Sequence, residues 1–143
     1  MFSKETYTAR RAELKKLMGS GLVLIFGNND SPVNYPANAH KFRQDSTFLY
    51  FFGWQRDGLV GVIDVDNDRE YLVGDEIDID DIVWYGSVTS VSEMAAQAGV
   101  ARTAKMRELG GIVDAARSSG QEIHFLPPYR FDTKIQIMDL LGL

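Results

Sequence analysis

The side chains able to carry a reaction are few. The chain has no cysteine and only two histidines, His40 and His124, which excludes a thiolate nucleophile, a disulfide framework and a thiolate zinc site. The two imidazoles form no H-x-x-x-H or H-E-x-x-H pair, the spacings that set two metal ligands on one helix face. Gly19-Ser20-Gly21 is not the G-x-S-x-G turn that exposes a nucleophilic serine, and no G-x-x-x-x-G-K-[ST] phosphate loop occurs. Carboxylates are more abundant: ten of the twenty Asp and Glu lie between Asp57 and Asp81, where Arg69 is the only base. Asp64, Asp66 and Asp68 have the D-x-D-x-D spacing of a calcium loop, but Arg69 stands where that loop needs glycine and Asp75 where it needs glutamate. The segment reads as a solvated hairpin with charged rims. Glu76, Asp78 and Asp80 alternate with Ile77 and Ile79, the pattern of an extended edge with one polar face. His124, between Ile123 and Phe125, reads as a partly buried strand residue. Composition and spacing thus remove many catalytic possibilities, while His40 stays open.

One stretch is more specific. About twenty residues, from Gly27 to Ser46, show no periodicity and end in Arg43-Gln44-Asp45-Ser46, followed by Thr47-Phe48-Leu49-Tyr50-Phe51-Phe52-Gly53. Long aperiodic loops in compact domains often carry function, and His40 lies in this one. The tetrad sets a guanidinium, an amide and a carboxylate at the head of what reads as an aromatic strand, able to fix the loop by bidentate hydrogen bonds.

The elements that must position these residues follow from periodicity. Tyr7, Leu14, Leu17 and Met18 define the apolar face of a first helix, with Arg10, Arg11, Lys15 and Lys16 on its other side. Leu22–Phe26 is a short apolar run, the pattern of a strand covered on both faces. Phe48–Phe52 and Leu59–Ile63 read as strands, and Asp66-Asn67-Asp68 as a hairpin turn into a strand over Glu70–Val73. A short helix is predicted near Ser92, a longer one from Thr103 to Ala116, a strand over Glu122–Leu126 and a last helix over Thr133–Leu141. This order predicts an α/β three-layer sandwich, a mixed sheet flanked by helices.

Composition is consistent with one domain. The chain has 143 residues, 45% of them apolar and 24% charged, enough to bury a real core. Its formal charge of −5 argues against a partner bound mainly through phosphates, so no nucleic acid is expected. The longest apolar runs hold five residues, whereas a membrane-spanning helix needs ~20. The charged N-terminus is unlike a signal peptide, and the expectation is a soluble, cytoplasmic protein with no membrane partner.

The run Phe42-Arg43-Gln44-Asp45-Ser46-Thr47-Phe48-Leu49-Tyr50-Phe51-Phe52-Gly53, the basic first helix and the acidic segment ending Asp80-x-x-x-Trp84-Tyr85-Gly86 together resemble the N-terminal domain of Xaa-Pro aminopeptidases, the aminopeptidase P branch of the creatinase–prolidase group. The resemblance spans nearly the whole chain. It implies that residues 1–143 form the single N-terminal domain of a longer enzyme that releases the residue preceding proline. In that family a C-terminal domain of pita-bread fold carries catalysis, with two divalent ions, often manganese, held by two Asp, one His and two Glu. The resemblance thus implies no catalytic or metal-binding residue and no cofactor on this chain, and three partners: its own catalytic domain, Xaa-Pro peptides, and further copies in a homo-oligomer (dimer or tetramer); it also implies that the domain helps to wall the active-site entrance. Trp84 matches a family tryptophan that reaches toward a neighbouring subunit's active site; Asn38 and His40 lie in a loop facing the same entrance. Arg43, Gln44, Asp45, Ser46 and Gly53 match the motif and are assigned to structure. A free-standing binding module of this fold, or the same domain of a prolidase or creatinase relative, is the alternative.

Overall fold

The computed structural model describes residues 1–29, 42–76 and 89–142. The expectations at Asn38, His40 and Trp84, and the alternation around Ile77 and Ile79, lie outside the described residues. Helix α1 (Lys4–Met18) leads into strand β1 (Leu22–Phe26), followed by α2 (Ser46–Phe52), β2 (Val60–Asp64), β3 (Arg69–Val73), α3 (Val91–Gln97) and β4 (Arg102–Ala104). A 3₁₀ turn (Met106–Glu108) precedes α4 (Leu109–Ser118), β5 (Ile123–Phe125) and α5 (Phe131–Leu141).

Among the described residues the strands form one sheet in the order β4-β3-β2-β1-β5. β1 pairs antiparallel with β2, and β2 antiparallel with β3, whereas β4 and β5 run parallel to β3 and β1. The sheet is therefore mixed: hairpin connections join its centre and helical crossovers bring in its edges. Alternation along each strand divides the core in two. Val23, Ile25, Ile63 and Leu72 face α2 and α3, with Leu14 and Met18 of α1 packed against them. Leu22, Leu24, Val60, Val62 and Val73 face the opposite way, onto Leu109, Val113 and Ala116 of α4. The outcome is the expected three-layer α/β sandwich.

Three local expectations are corrected. Phe48–Phe52 is not a strand but the body of α2. The Asp45 carboxylate accepts the Phe48 N–H at 2.9 Å, an N-cap, and Gly53 closes the helix at φ 79°. With helical spacing Phe48 and Phe52 stack at 5.4 Å between centroids, both fully buried, so capping and burial override the strand preference of aromatic residues. The expected helix from Thr103 begins only at Leu109, because Thr103 pairs with Leu72 in β4; a three-residue edge strand is too short to show alternation. In α1 the apolar face is also rotated: Leu17 is exposed, while the Arg11 side chain is wholly buried.

One close approach fixes the depth of α2 on the sheet. A Cβ at Gly61 of β2 would collide with the Phe52 ring, so only glycine lets that ring lie on the strand.

Candidate functional site

The motif residues converge at the end of β1, where the chain leaves the sheet. Gln44 is almost wholly buried, and its amide uses both ends. Oε1 accepts the backbone N–H of Asn28 at 2.8 Å and of Asp45 at 3.0 Å. Nε2 donates to the carbonyls of Trp54 at 3.0 Å and Arg56 at 2.8 Å. One side chain thus ties the end of β1, the head of α2 and the loop after α2. Gly27 makes room for it: a Cβ there would lie 3.1 Å from Gln44 Oε1 and 2.8 Å from the Leu59 carbonyl. Trp54 carries the tie onward, its indole N–H donating to the Met94 carbonyl at 2.8 Å.

Asp45 faces two ways. One carboxylate oxygen caps α2; the other accepts the Tyr129 hydroxyl at 3.0 Å. Asn28 Nδ2 donates to the Arg43 carbonyl at 3.0 Å and to Tyr129 Oη at 3.2 Å. The Tyr129 ring is exposed, but desolvation of the inward-turned hydroxyl raises its pKa, with the Asn28 hydrogen bond lowering it and Asp45 raising it. Tyr129 is therefore a neutral phenol at neutral pH, a positioning group and not a base. Arg130 and Asp132 pair beside it at 3.2 Å.

The expected bidentate anchoring therefore comes from Gln44 and Asp45. Arg43 contributes its carbonyl, Ser46 is the exposed first residue of α2, and Gly53 is needed twice: for its left-handed φ, and because a Cβ would strike the Tyr7 ring. The roles of Asn28 and Tyr129 were not legible in the sequence, since Tyr129 stands 101 residues from Asn28 and neither belongs to a motif. The cleft between them, lined by Phe26, Asn28, Asp45, Thr47, Pro128 and Tyr129, measures about 180 Å³.

The acidic triad does not fit a metal. Asp64 accepts from Asn67 and Gln121, Asp66 from the Gly21 N–H and Gln121, and Asp68 from Lys15 at 2.7 Å. The carboxylates close the β2–β3 turn and tie it to its surroundings, and no step through a metal follows from them. Among the described residues no group of three or more His, Asp or Glu is arranged to hold a metal ion. His124 sits half-buried on β5, as expected.

A mixed five-stranded sheet sandwiched between helix layers, with the Arg-Gln-Asp-Ser segment locking the end of β1, defines a particular class of α/β domain. The family model for the aminopeptidase P N-terminal domain matches residues 7–124, and the chain belongs to that family. The same fold occurs in Escherichia coli aminopeptidase P in its low-pH form, at TM-score 0.81 and 20% identity, covering 99% of this chain and 33% of that one. The figures are the same for a glutamate-to-alanine variant of that enzyme in complex with substrate and for its zinc-substituted form in complex with product. The chain thus spans a third of the length of these structures. No curated protein matches it significantly in sequence. Among the described residues no helix is long and apolar enough to cross a membrane.

Proposed function

We propose that residues 1–143 are the non-catalytic N-terminal domain of a cytoplasmic, metal-dependent Xaa-Pro aminopeptidase. In this reading a C-terminal domain holds two divalent ions, manganese in the first instance, and hydrolyses the bond preceding proline. The N-terminal domain contributes to a homo-oligomer and walls the active-site entrance. The observation that carries the reading is the use to which the family motif is put. Gln44, Asp45 and Gly53 are engaged in joining β1, α2 and the segment after β5, so the motif residues serve as a scaffold. Asn38 and His40 lie between Asn28 and Arg43, the two ends that this joint holds together; Trp84 follows the acidic stretch. All three are assigned to the entrance.

The test is direct. Purified residues 1–143, supplied with manganese, should release no N-terminal residue from an Xaa-Pro peptide, while a longer protein carrying this domain should turn the peptide over. Robust hydrolysis by the 143-residue chain would overturn the reading. Trp84→Ala in the longer protein should lower activity with an unchanged thermal midpoint; a large fall in the midpoint would make Trp84 a core residue.

A further inference from the structure

The clamp around Gln44 has a counterpart at the end of β3. Where the chain leaves that strand, the Gly74 N–H donates to the Ala104 carbonyl at 3.0 Å. Asp75 Oδ1 then accepts the Met106 N–H at 3.0 Å, and Glu76 Oε1 accepts the N–H of Val91, the first residue of α3, at 3.0 Å. Glu76 thereby joins the two sides of the stretch that carries Trp84, fifteen positions apart. Gln44 and Asn28 do the same for the stretch that carries Asn38 and His40. The segment after α2 lies between the two clamps. Its Trp54 and Arg56 carbonyls are taken by Gln44, and its Gly58 N–H donates to the Asn28 carbonyl at 3.1 Å, so its backbone belongs to the first clamp. Its side chains reach the second. The Trp54 indole donates to Met94 in α3, and Arg56 Nη2 donates to the Asp75 carbonyl. The rest of the Arg56 guanidinium is idle: Nε and Nη1 are buried and make no hydrogen bond. Donors left in that state cost free energy, so the directional contribution of this side chain is its contact with Asp75.

We infer that Arg56 is a positioning residue that fixes the base of the Trp84 stretch against the base of the Asn38 and His40 stretch. The inference rests on the proposed function, which assigns these three residues to the active-site entrance, and adds the side chain that gives them a common support. Contacts run without a gap from Asn28 through Gln44, Arg56 and Asp75 to Glu76 and Val91. Contiguity alone does not establish coupling; the non-additivity of two substitutions along the path does.

The experiment follows amide hydrogen exchange at Val91 and Met106 in residues 1–143, with the fully buried Val62 of β2 as the reference for global opening. Arg56→Met should speed exchange at both positions about tenfold relative to Val62. The thermal midpoint should stay close to that of the parent sequence, because two idle buried donors leave together with the one in use. Arg56→Lys, which keeps a cationic donor on an apolar stem, should restore slow exchange. Gln44→Ala should also speed exchange at Val91 relative to Val62, and should add nothing once Arg56 is replaced by methionine. Unchanged exchange at Val91 and Met106 in Arg56→Met would overturn the inference. So would an effect of Gln44→Ala that persists in full in that background, since the coupling would then run through Trp54. In a longer protein that cleaves Xaa-Pro peptides, Arg56→Met should raise KM severalfold with kcat within about twofold, the pattern of lost substrate binding remote from the reacting bond, and Arg56→Lys should restore KM. An unaltered KM would refute the positioning role and leave the proposed function standing. A longer protein inert on such peptides, with the exchange coupling present, would overturn the proposed function and leave the bridge between the clamps intact.

Discussion

The side-chain amide oxygen of Gln44 accepts the backbone N–H of Asn28, sixteen positions earlier in the chain, at 2.8 Å. Asn28 returns the contact through its own amide, which donates to the Arg43 carbonyl at 3.0 Å. The two ends of the long aperiodic segment are thereby clamped at a fixed separation, whatever the residues between them do. A functional loop on a rigid scaffold needs its ends held in this way.

Gln44→Ala should therefore be costly for a change so far from the sheet centre. It leaves the Asn28 and Asp45 N–H groups and the Trp54 and Arg56 carbonyls without the partner that Gln44 supplies. Buried groups left in this state cost about 1–3 kcal/mol each when water cannot reach them, and partial relaxation should bring the total to about 3 kcal/mol. Urea unfolding at constant m-value measures it. A loss under 1 kcal/mol would show that the clamp is dispensable.

Gly61 and Phe52 should behave as a coupled pair. Gly61→Ala forces the new Cβ into the Phe52 ring, and overpacking of this kind costs about 1–3 kcal/mol. In a Phe52→Leu background the ring edge is gone, and the same alanine should cost at least about 1 kcal/mol less. Equal costs in the two backgrounds would mean that strand conformation, and not the ring, demands glycine.

The strands at the centre of the sheet are legible in the sequence, because residues buried on both faces leave uninterrupted runs such as Leu22–Phe26. The Asp66-Asn67-Asp68 turn is legible because its residues tolerate tight geometry, and Asp68 does adopt φ 50°. What escapes is whatever depends on partners remote in the chain. The motif reveals Gln44 and Asp45, but nothing local distinguishes a capping aspartate before a helix from one before a strand when the residues that follow are aromatic. Tyr129 and Asn28 join the site only because β5 lies parallel to β1. Arg11 looks like one of four solvated cations on a basic helix, and its burial follows from carbonyls supplied by two other helices.

Those carbonyls lead to the next expectation. Arg11 donates to the Phe51 and Ala98 carbonyls, each at 2.7 Å, and to Glu70 at 3.1 Å. Desolvation lowers its pKa, opposed by the hydrogen bond and charge of Glu70. Arg11→Met keeps the apolar bulk but removes the donor to both helix-end carbonyls and leaves Glu70 with its Lys15 ion pair at 3.5 Å, and should cost about 3 kcal/mol. Glu70→Gln should cost less, about 1 kcal/mol, because an amide oxygen still accepts from Arg11. Thermal unfolding of the two variants gives the order; the reverse would mean that Glu70, not Arg11, organises this crossing of α1, α2 and α3.

The Tyr129 hydroxyl should leave a signature at high pH. Its raised pKa means that the folded state holds the phenolic proton more tightly than the unfolded chain does. That contribution to stability is complete below the unfolded value near 10.0 and is lost as pH rises through the higher folded value. Tyr129→Phe removes the titration and the hydrogen bonds to Asp45 and Asn28 together. At pH 7 the variant should be less stable by about 1 kcal/mol. The gap between parent and variant should then shrink as pH rises above 10, measured as the difference in urea midpoints from pH 7 to 11. A gap that stays constant across that range would mean the hydroxyl does not couple the segment after β5 to Asp45, and that the ring alone holds it in place.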